Sequence, residues 1–405
     1  MAMTLGLVVA RPSVGPSFRI TPALAAFLGV AILAAIGVVG PDHFRYAVTN
    51  LRSPFIAIAS IMVLTEIADR IGLLVWWASW VEARVTSTPA LFLRVFALGV
   101  ATSSLLNNDA AILVLTPVVL TMVRRRYPEQ PSMLIPFAFA VFMSAGVAAL
   151  PVSNPMNMVV AEVSGISFNT YARAMLPIAA VGWVLSYVSL RLLFAPALRV
   201  PPSPRELAIA PPTSLQRAMM VLVLVAVAAY PIVGAFGGPV WSVALTAAII
   251  AAGLARHHPE LGARSLLRRG VSWPTLGFLL AVLVMSLGLR DVGLVDRLAA
   301  LYDGAGLATI GVTSALGSAL LNNHPMSHLN MLALHGTPDP TRVLAALVGG
   351  DLGPRLLPMG SLAGLLWLEQ LRRHGVHLRL GTFVRVGVVL AVPAIAASLA
   401  ILAWG

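Results

Sequence analysis

The sequence predicts an all-α, polytopic membrane protein that is built from two inverted repeats. Of its 405 residues, 59% are hydrophobic and 10% are charged, whereas a soluble domain has about 45–50% apolar and about 25% charged residues. Apolar runs long enough to span a bilayer recur along the chain, and polar interruptions recur at matching places in its two halves. A soluble fold, a disordered chain and a disulfide-framed secreted domain are therefore excluded, the last because the chain contains no Cys.

Seven stretches predict simple membrane-spanning helices, because a helix needs about 20 mostly apolar residues to cross the hydrocarbon core. They are Thr21–Gly40, Ser53–Trp77, Tyr171–Leu193, Ser214–Gly234, Pro239–Ala255, Trp273–Leu289 and Thr382–Trp404. Met1–Ala10 is apolar but too short to cross, and Arg11 and Pro12 end it. With no basic segment before it and no cleavage site after it, this run predicts neither a signal peptide nor a full crossing.

Two further regions predict re-entrant hairpins that turn in the middle of the membrane. In each, an apolar run reaches a polar cluster, and a second apolar run follows. The first comprises Pro89–Leu106, the cluster Asn107-Asn108-Asp109 and Ala110–Val123, and the second comprises Gly304–Leu321, the cluster Asn322-Asn323-His324-Pro325 and Met326–Leu334. Backbone groups freed at such turns cannot face lipid, so the turns must be buried in protein or line a cavity.

Two regions predict spanning helices that are broken in mid-membrane. The first joins Met133–Leu150 to Met156–Val163 across Pro151–Pro155, and the second joins Leu344–Val348 to Leu362–Leu371 across Gly349–Pro354 and Pro358–Ser361. Proline and glycine within an apolar run end or bend a helix, so we expect polar groups to gather at both breaks.

The turns and breaks repeat at a nearly constant distance along the chain. The pair Asn107-Asn108 recurs 215 positions later as Asn322-Asn323, and Pro151 recurs 207 positions later as Pro358. The predicted organisation is an N-terminal segment 1–20, a first repeat 21–199, a cytoplasmic linker 200–213 and a second repeat 214–405. The second half has five crossings if Ser214–Gly234 is counted, an odd number, so the repeats should be inverted in the membrane. Paired breaks in inverted repeats indicate a secondary transporter with a substrate site at the midplane.

Arginine positions predict how the chain is oriented in the membrane. The net charge of +12 reflects 27 Arg and no Lys. Threading nine crossings and two hairpins places 19 Arg on one side and 6 on the other, with Arg70 and Arg355 between them. By the positive-inside rule we expect a bacterial inner-membrane protein with a cytoplasmic N-terminus. Because the arginines lie between apolar runs, topology explains them and nucleic-acid binding is not predicted.

Uncharged polar residues at the turns and breaks form the predicted substrate site. They are Asn107, Asn108, Asn154, Asn157, Asn322, Asn323 and Ser361. Amides and hydroxyls offer donors and acceptors without charge, which suits a neutral polyhydroxyl solute or a partly dehydrated ion. The alternative interpretation is that these residues only satisfy backbone groups freed at the breaks.

Asp109 is predicted to carry a coupling proton, because an ionisable side chain at membrane depth is costly and by default functional. It lies at the first hairpin turn, where it cannot reach the interface. The alternative is that Asp109 caps the following helix, a role that Asp favours. Glu66 and His324 are the other proton-carrying candidates, although a salt bridge to Arg70, four residues further on, is the simpler interpretation of Glu66.

Asp351 and Arg355 are four residues apart and predict an internal ion pair with a structural or gating role. His324, His328 and Asp351 could in principle hold a metal, which would indicate an intramembrane metalloenzyme. Pro325 between the two histidines and the absence of an H-E-x-x-H motif argue against that class. We expect no metal site, no cofactor and no enzymatic activity, and inverted halves likewise argue against a channel.

Six strings of residues carry a family resemblance. They are Asn108–Pro117, Ser153–Asn157, Phe168–Pro177, Gly350–Arg355, Pro358–Ala363 and Leu365–Leu368. At these strings the sequence resembles the bacterial arsenite and antimonite efflux permeases, the arsenical pump membrane proteins of the ion transporter superfamily. The resemblance extends over nearly the whole chain from Thr21 onward.

The resemblance implies efflux of arsenite or antimonite in exchange for protons, with a separate arsenite-stimulated ATPase subunit in some systems. No G-x-x-x-x-G-K-[S/T] phosphate loop is present, so any use of ATP would belong to that other chain. The alternative within the superfamily is a sodium- or proton-coupled carrier of organic anions such as dicarboxylates or citrate. Such a carrier needs a cation at its site, and Arg355 is the one residue placed to supply it.

Overall fold

The computed structural model describes residues 21–84, 86–203, 209–337 and 339–404. Within these ranges the protein consists of helices and short connections, without any β-strand. The predicted N-terminal segment 1–20 and the middle of the predicted linker, 204–208, lie outside the described residues. The observed architecture confirms the predicted all-α fold class.

Eight helices form the described part of the first repeat. They are α1 (Pro22–Ala35), α2 (Pro41–Arg70), α3 (Leu73–Ala83), α4 (Thr88–Leu105), α5 (Leu115–Arg126), α6 (Leu134–Ser144), α7 (Pro155–Val163) and α8 (Phe168–Leu193). A π-helical turn, Ala110–Val114, leads into α5. Proline occupies the first turn of α1, α2 and α7, where its missing N–H leaves no helical hydrogen bond unmade.

Nine helices of nine or more residues form the described part of the second half, and a short helix, Ala263–Ser265, lies between the second and third of them. They are α9 (Ser214–Ala235), α10 (Val240–Leu254), α11 (Trp273–Asp291), α12 (Leu294–Tyr302), α13 (Leu307–Leu321), α14 (Asn323–Ala333), α15 (Pro340–Leu352), α16 (Leu362–Arg373) and α17 (Leu380–Trp404). A capping box starts α9, because Thr213 accepts the N–H of Gln216 while the Gln216 side chain accepts the N–H of Thr213.

The helices of the two repeats follow one another in the same order. Helices α1–α8 match α10–α17, and α9 is an additional crossing between them. Helix α1 packs against α11 of the other repeat, α10 packs in the equivalent way against α2, and the last helices, α8 and α17, pack against each other. Each repeat crosses four times, so the additional crossing inverts the second repeat relative to the first. Each repeat contains one hairpin (α4–α5, α13–α14) and one broken helix (α6–α7, α15–α16).

Two of the predicted simple spans contain rather short helices. Among the described residues, six helices are long and apolar enough to cross a membrane, namely α2, α4, α8, α9, α11 and α17. Helices α1 and α10 have 14 and 15 residues, which is a length of about 21–23 Å at the helical rise per residue. Gly37, in a left-handed conformation with φ of 75°, follows the end of α1 and turns the chain towards α2.

The second span differs from its prediction. The sequence predicted one helix over Ser53–Trp77, but α2 starts before this range and ends within it, and α3 follows. Helix α2 continues through Pro54 because a proline removes one backbone hydrogen bond and bends a long helix without having to end it. Gly72 separates α2 from α3 by adopting a φ of 71°, and Gly293 separates α11 from α12 with a φ of 77°.

The second broken helix breaks later than predicted. The sequence predicted an interruption from Gly349, but α15 continues through this residue and the break occupies Gly353–Ser361. Glycines let α15 approach α13 closely, because a Cβ at Gly349 would lie 2.2 Å from the carbonyl oxygen of Gly311, and one at Gly353 would lie 2.3 Å from that of Ala315. These glycines therefore serve helix packing, as small residues do between membrane helices.

Replacing Gly349 with Ala should destabilise the protein, because the new Cβ fits beside Gly311 only if α13 and α15 separate. Overpacking of this kind costs about 1–3 kcal/mol, which thermal unfolding of the detergent-purified protein would measure. Gly253→Ala on α10 is the matched control, since a Cβ there meets no atom within 4 Å. An unfolding temperature for Gly349→Ala equal to that of the unmodified protein would contradict the close helix contact.

Candidate substrate site

A cavity of about 290 Å³ lies where both hairpin turns and both helix breaks converge. Helix α2 and the start of α11 complete its walls. The predicted site residues that line it are Glu66, Asn107, Asn108, Asp109, Asn154, Asn323, His324, Asp351, Arg355 and Ser361. Two predicted residues, Asn157 and Asn322, are buried beside the cavity without lining it.

The first hairpin turn presents Asn108 and Asp109 to the cavity. Nδ2 of Asn107 donates a hydrogen bond to Oγ1 of Thr65 at 3.1 Å, which holds the turn against α2. Asp109 has helical φ and ψ and makes no capping bond, so the geometry does not support the capping interpretation. Its carboxyl group makes no hydrogen bond or ion pair with the residues that the structure describes.

The second hairpin turn presents Asn323 and His324 at the equivalent positions. Asn322 precedes them with a φ of 79° and a ψ of 145°, a combination outside the left-handed helical region and sparsely populated for residues other than Gly. Its Oδ1 accepts the backbone N–H of His324 at 3.3 Å, and its Nδ2 donates to the carbonyl oxygen of Met359 at 3.2 Å. Asn322 therefore caps α14 and joins the turn to the second break, while the two residues after it line the cavity.

Three buried polar atoms in the cavity lining have no hydrogen-bond partner within the described part of the chain. They are Oδ1 of Asn323, Nδ1 of His324 and Nε of Arg355. A buried polar atom without a partner is costly, and all three atoms belong to side chains that line the cavity. The ring of Phe278 packs edge-on against the His324 ring at 5.8 Å and fixes its orientation.

The first break begins at Ala145, earlier than predicted, and its polar residues bond mainly within the protein. Oδ1 of Asn154 caps α7 by accepting the N–H of Met156 at 3.1 Å, while its Nδ2 donates to Oδ1 of Asp351 at 2.9 Å. Nδ2 of Asn157 donates to Oδ2 of Asp351 at 2.8 Å and to the hydroxyl of Tyr171 at 2.6 Å. For Asn157 these contacts favour the alternative interpretation, that it supports the broken segment.

The second break contributes Ser361 and Arg355 to the cavity. Oγ of Ser361 caps α16 by accepting the N–H of Gly364 at 2.9 Å. Arg355 and Asp351 do not form the predicted ion pair, which would need an N···O distance of 4.0 Å or less, and Arg355 donates instead to the carbonyl oxygen of Ala145. The reason is that α15 ends between the two residues, and a spacing of four pairs side chains only within a continuous helix.

Glu66 forms the predicted salt bridge with Arg70. Oε1 of Glu66 lies 2.9 Å from Nε of Arg70, and a second acid, Glu260, lies 2.8 Å from NH1 of the same guanidinium. The carboxylate of Glu66 is therefore neutralised at the edge of the cavity. Within the described ranges, no group of three His, Cys, Asp or Glu is arranged to hold a metal ion, and His328 is fully buried outside the lining.

Sequence reasoning missed several polar neighbours of the site. Thr65, Ser272 and Thr275 bring hydroxyl groups to the lining, and single hydroxyls in or beside apolar helices give no sequence signal that sets them apart. It also missed Tyr171, whose hydroxyl donates to the carbonyl oxygen of Ala148 at 3.0 Å. The string Phe168–Pro177 contains this tyrosine, but only the packing of α8 against the first break indicates its role.

Comparison with known proteins identifies the family. The family model described as arsenical pump membrane protein matches residues 2–404. The arsenical pump membrane protein of Escherichia coli K12 is 30% identical, covering 93% of this chain and 92% of that protein, and that of Yersinia enterocolitica is 30% identical, covering 99% and 96%. The chain belongs to the arsenical pump membrane protein family. This result confirms the resemblance that the sequence strings indicate.

Members of this family are membrane transporters, so the chain is a multi-pass membrane transporter and not an enzyme. A 46 kDa membrane protein of Mycobacterium leprae is 28% identical, covering 94% of this chain and 93% of that protein. Among solved structures, the Alcanivorax borkumensis YdaH transporter, described as having an unusual topology, aligns with a TM-score of 0.60 over 99% of this chain and 98% of that one. At 17% identity this likeness concerns the fold alone.

A cysteine introduced into the cavity lining should react with a hydrophilic thiol reagent. The protein has no Cys, so Ser361→Cys and Ser286→Cys each create a single thiol. Ser361 lines the cavity, whereas Ser286 is fully buried in α11. We expect labelling of Ser361→Cys to be at least about tenfold faster, because thiol reactivity requires access. Equal labelling rates would contradict the described cavity.

Proposed function

We propose that the protein exports trivalent metalloid, arsenite or antimonite, across the bacterial inner membrane in exchange for protons. The observation that carries this proposal is a cavity at both hairpin turns, each of which presents an uncharged Asn amide to it, from Asn108 and Asn323. Family membership supports an arsenical as the substrate. The lipid bilayer is its environment, and the excess of Arg on one side supports a cytoplasmic N-terminus.

The chemistry of the cavity suits a small neutral polyol. Near neutral pH arsenite is mostly the uncharged trihydroxide, whose three hydroxyls can each donate and accept hydrogen bonds. Asn108 and Asn323 lie at equivalent positions of the two turns, and an amide presents both a donor and an acceptor. The chain has no Cys, and thiolates would hold trivalent arsenic too tightly for a carrier that must release it.

Asp109 is the proposed proton carrier. It lines the cavity and has no partner among the described residues, whereas the carboxylate of Glu66 is held by Arg70. Protonation of Asp109 would remove a charge from the cavity and so change which state of the transporter is favoured. His324, at the equivalent position of the other turn, is the second proton-carrying candidate.

The proposed exchange requires two partners, the metalloid substrate and protons. A separate ATPase subunit is a third proposed partner. The chain has no Lys at all, and therefore lacks the lysine of a phosphate-binding loop. ATP-driven export would accordingly require another chain, and we propose its contact on the Arg-rich side.

One observation favours the alternative function, transport of an organic anion. Arg355 lines the cavity without forming an ion pair with Asp351, so its positive charge could meet a carboxylate. Two carboxyl groups that carry no ion pair with a described residue, those of Asp109 and Asp351, line the same cavity and would repel such a substrate. The balance of charge therefore supports the neutral metalloid.

Replacing Asn108 or Asn323 with Ala should weaken arsenite binding. A hydrogen bond between neutral groups contributes about 0.5–1.5 kcal/mol, so KM for arsenite uptake into everted vesicles should rise about two- to tenfold. Asn169→Ala is the matched control, because Asn169 lies outside the cavity and donates to the carbonyl oxygen of Pro231. Unchanged KM in both cavity variants, or uptake of dicarboxylate instead of arsenite by the unmodified protein, would contradict the proposal.

Asp109→Asn should abolish accumulation of arsenite in everted vesicles that are acidic inside. The amide keeps the shape and hydrogen bonding of the side chain but cannot take up a proton, so downhill exchange of arsenite should remain detectable. Asp303→Asn, at an exposed position outside the cavity, should transport normally. Full gradient-driven transport by Asp109→Asn would transfer the coupling role to His324 or Glu66.

A further inference from the structure

Asp351 of the second repeat receives its hydrogen bonds from the first repeat. Its carboxylate accepts the backbone N–H of Ala148 at 2.9 Å, Nδ2 of Asn154 at 2.9 Å and Nδ2 of Asn157 at 2.8 Å. All three donors belong to the first break or to α7, which follows it. A buried carboxylate needs donors of this kind, so Asp351 and the first break depend on each other.

Arg355, which like Asp351 belongs to the second repeat, also contacts the first break. Its guanidinium donates to the carbonyl oxygen of Ala145, the first residue after α6. The last carbonyls of a helix lack helical partners and carry partial negative charge, which a cation compensates. The N–H of Ala148 is a freed donor, which the carboxylate of Asp351 accepts. One acid and one base thus satisfy the two kinds of backbone group that the break exposes.

The described residues at the equivalent positions of the first repeat do not support the second break in this way. At the offset that relates the two breaks, Asp351 corresponds to Ser144 and Arg355 corresponds to Ala148. The hydroxyl of Ser144 donates to the carbonyl oxygen of Val141 in its own helix at 2.7 Å. The cross-repeat contacts of this acid and base therefore run in one direction, from the second broken helix to the first.

We propose that Asp351 and Arg355 are positioning residues of the second repeat that hold the first break in shape. Asn154 lines the cavity, and its amide is oriented by Asp351, so the second repeat sets the geometry of a binding wall in the first. Displacement of α15 from the first break and α7 would break all three hydrogen bonds at once. This inference rests on the proposed function only where it concerns substrate.

An exchange of the acid and the amide tests the contact. Asp351→Asn alone places two amide donors face to face, and Asn154→Asp alone places two carboxylates face to face. In the double variant, Oδ1 of the new asparagine can still accept from Ala148 and Asn157, its Nδ2 can donate to the new aspartate, and the latter can still cap α7. Net charge is the same in the double variant and the unmodified protein.

The readout is a single thiol in the first break, introduced as Ser153→Cys. The native Ser153 is buried, with 1% of its surface exposed. We expect a hydrophilic thiol reagent to label it about tenfold faster in each single variant, because a lost hydrogen bond to a charged group favours opening by that factor or more. In the double variant labelling should return to within about twofold of the parent. Fast labelling in the double variant, or slow labelling in both single variants, would overturn the proposal.

Two further measurements cover the remaining cases. Where a single variant does not accumulate in the membrane, recovery of folded protein by the double variant, measured by size-exclusion chromatography, supports the contact, and failure to recover overturns it. Arg355→Met should also label about tenfold faster at the break, and unchanged labelling would remove Arg355 from the assignment. The labelling needs no substrate, so it tests the contact even if the protein does not transport arsenite. The KM for arsenite in the double variant tests separately whether this contact shapes the substrate site.

Discussion

Backbone groups that lose their helical partners inside a membrane govern the rest of this structure. Lipid offers no hydrogen bonds, so each break and turn needs a side chain that satisfies the freed groups. Asn154, Asn322 and Ser361 each do this by accepting a backbone N–H at the start of the following helix. Polar residues therefore gather at the breaks and turns for a structural reason, and the cavity lies among them.

The two repeats share a fold but differ in chemistry at equivalent positions. The residue after the paired cavity asparagine is Asp109 in the first turn and His324 in the second, and the acid Asp351 corresponds to Ser144. A cavity between identical halves would carry the same charge towards both sides of the membrane. The differences here give it one free carboxyl group and one imidazole, so the two faces of a bound solute meet different groups.

Local composition was sufficient to predict the class, the hairpins and the approximate breaks, since each depends on apolar length and on clustered polar residues or prolines. The exact helix ends depended on contacts that the sequence does not reveal. Helix α15 continues through Gly349 because this glycine packs against Gly311 of α13. In the sequence alone, a glycine at this position is equally consistent with a helix break. The partners of Asp351 lie about 200 positions away, so a rule based on a spacing of four residues assigned it the wrong neighbour.

A neutral cargo leaves the charge of the cavity unchanged, so on the proposed mechanism the side chains of the protein must couple binding to protons. Glu66 is compensated by Arg70, and Asp351 by three N–H donors, whereas Asp109 has no partner among the described residues. A proton on Asp109 therefore changes the charge of the free part of the cavity by one unit, where low polarity makes that change costly in free energy. On this proposal an ionised Asp109 would accept hydrogen bonds from the hydroxyls of the solute, and a protonated one would have fewer acceptor sites to offer. Solute and proton would then oppose each other at one side chain, as the proposed exchange requires.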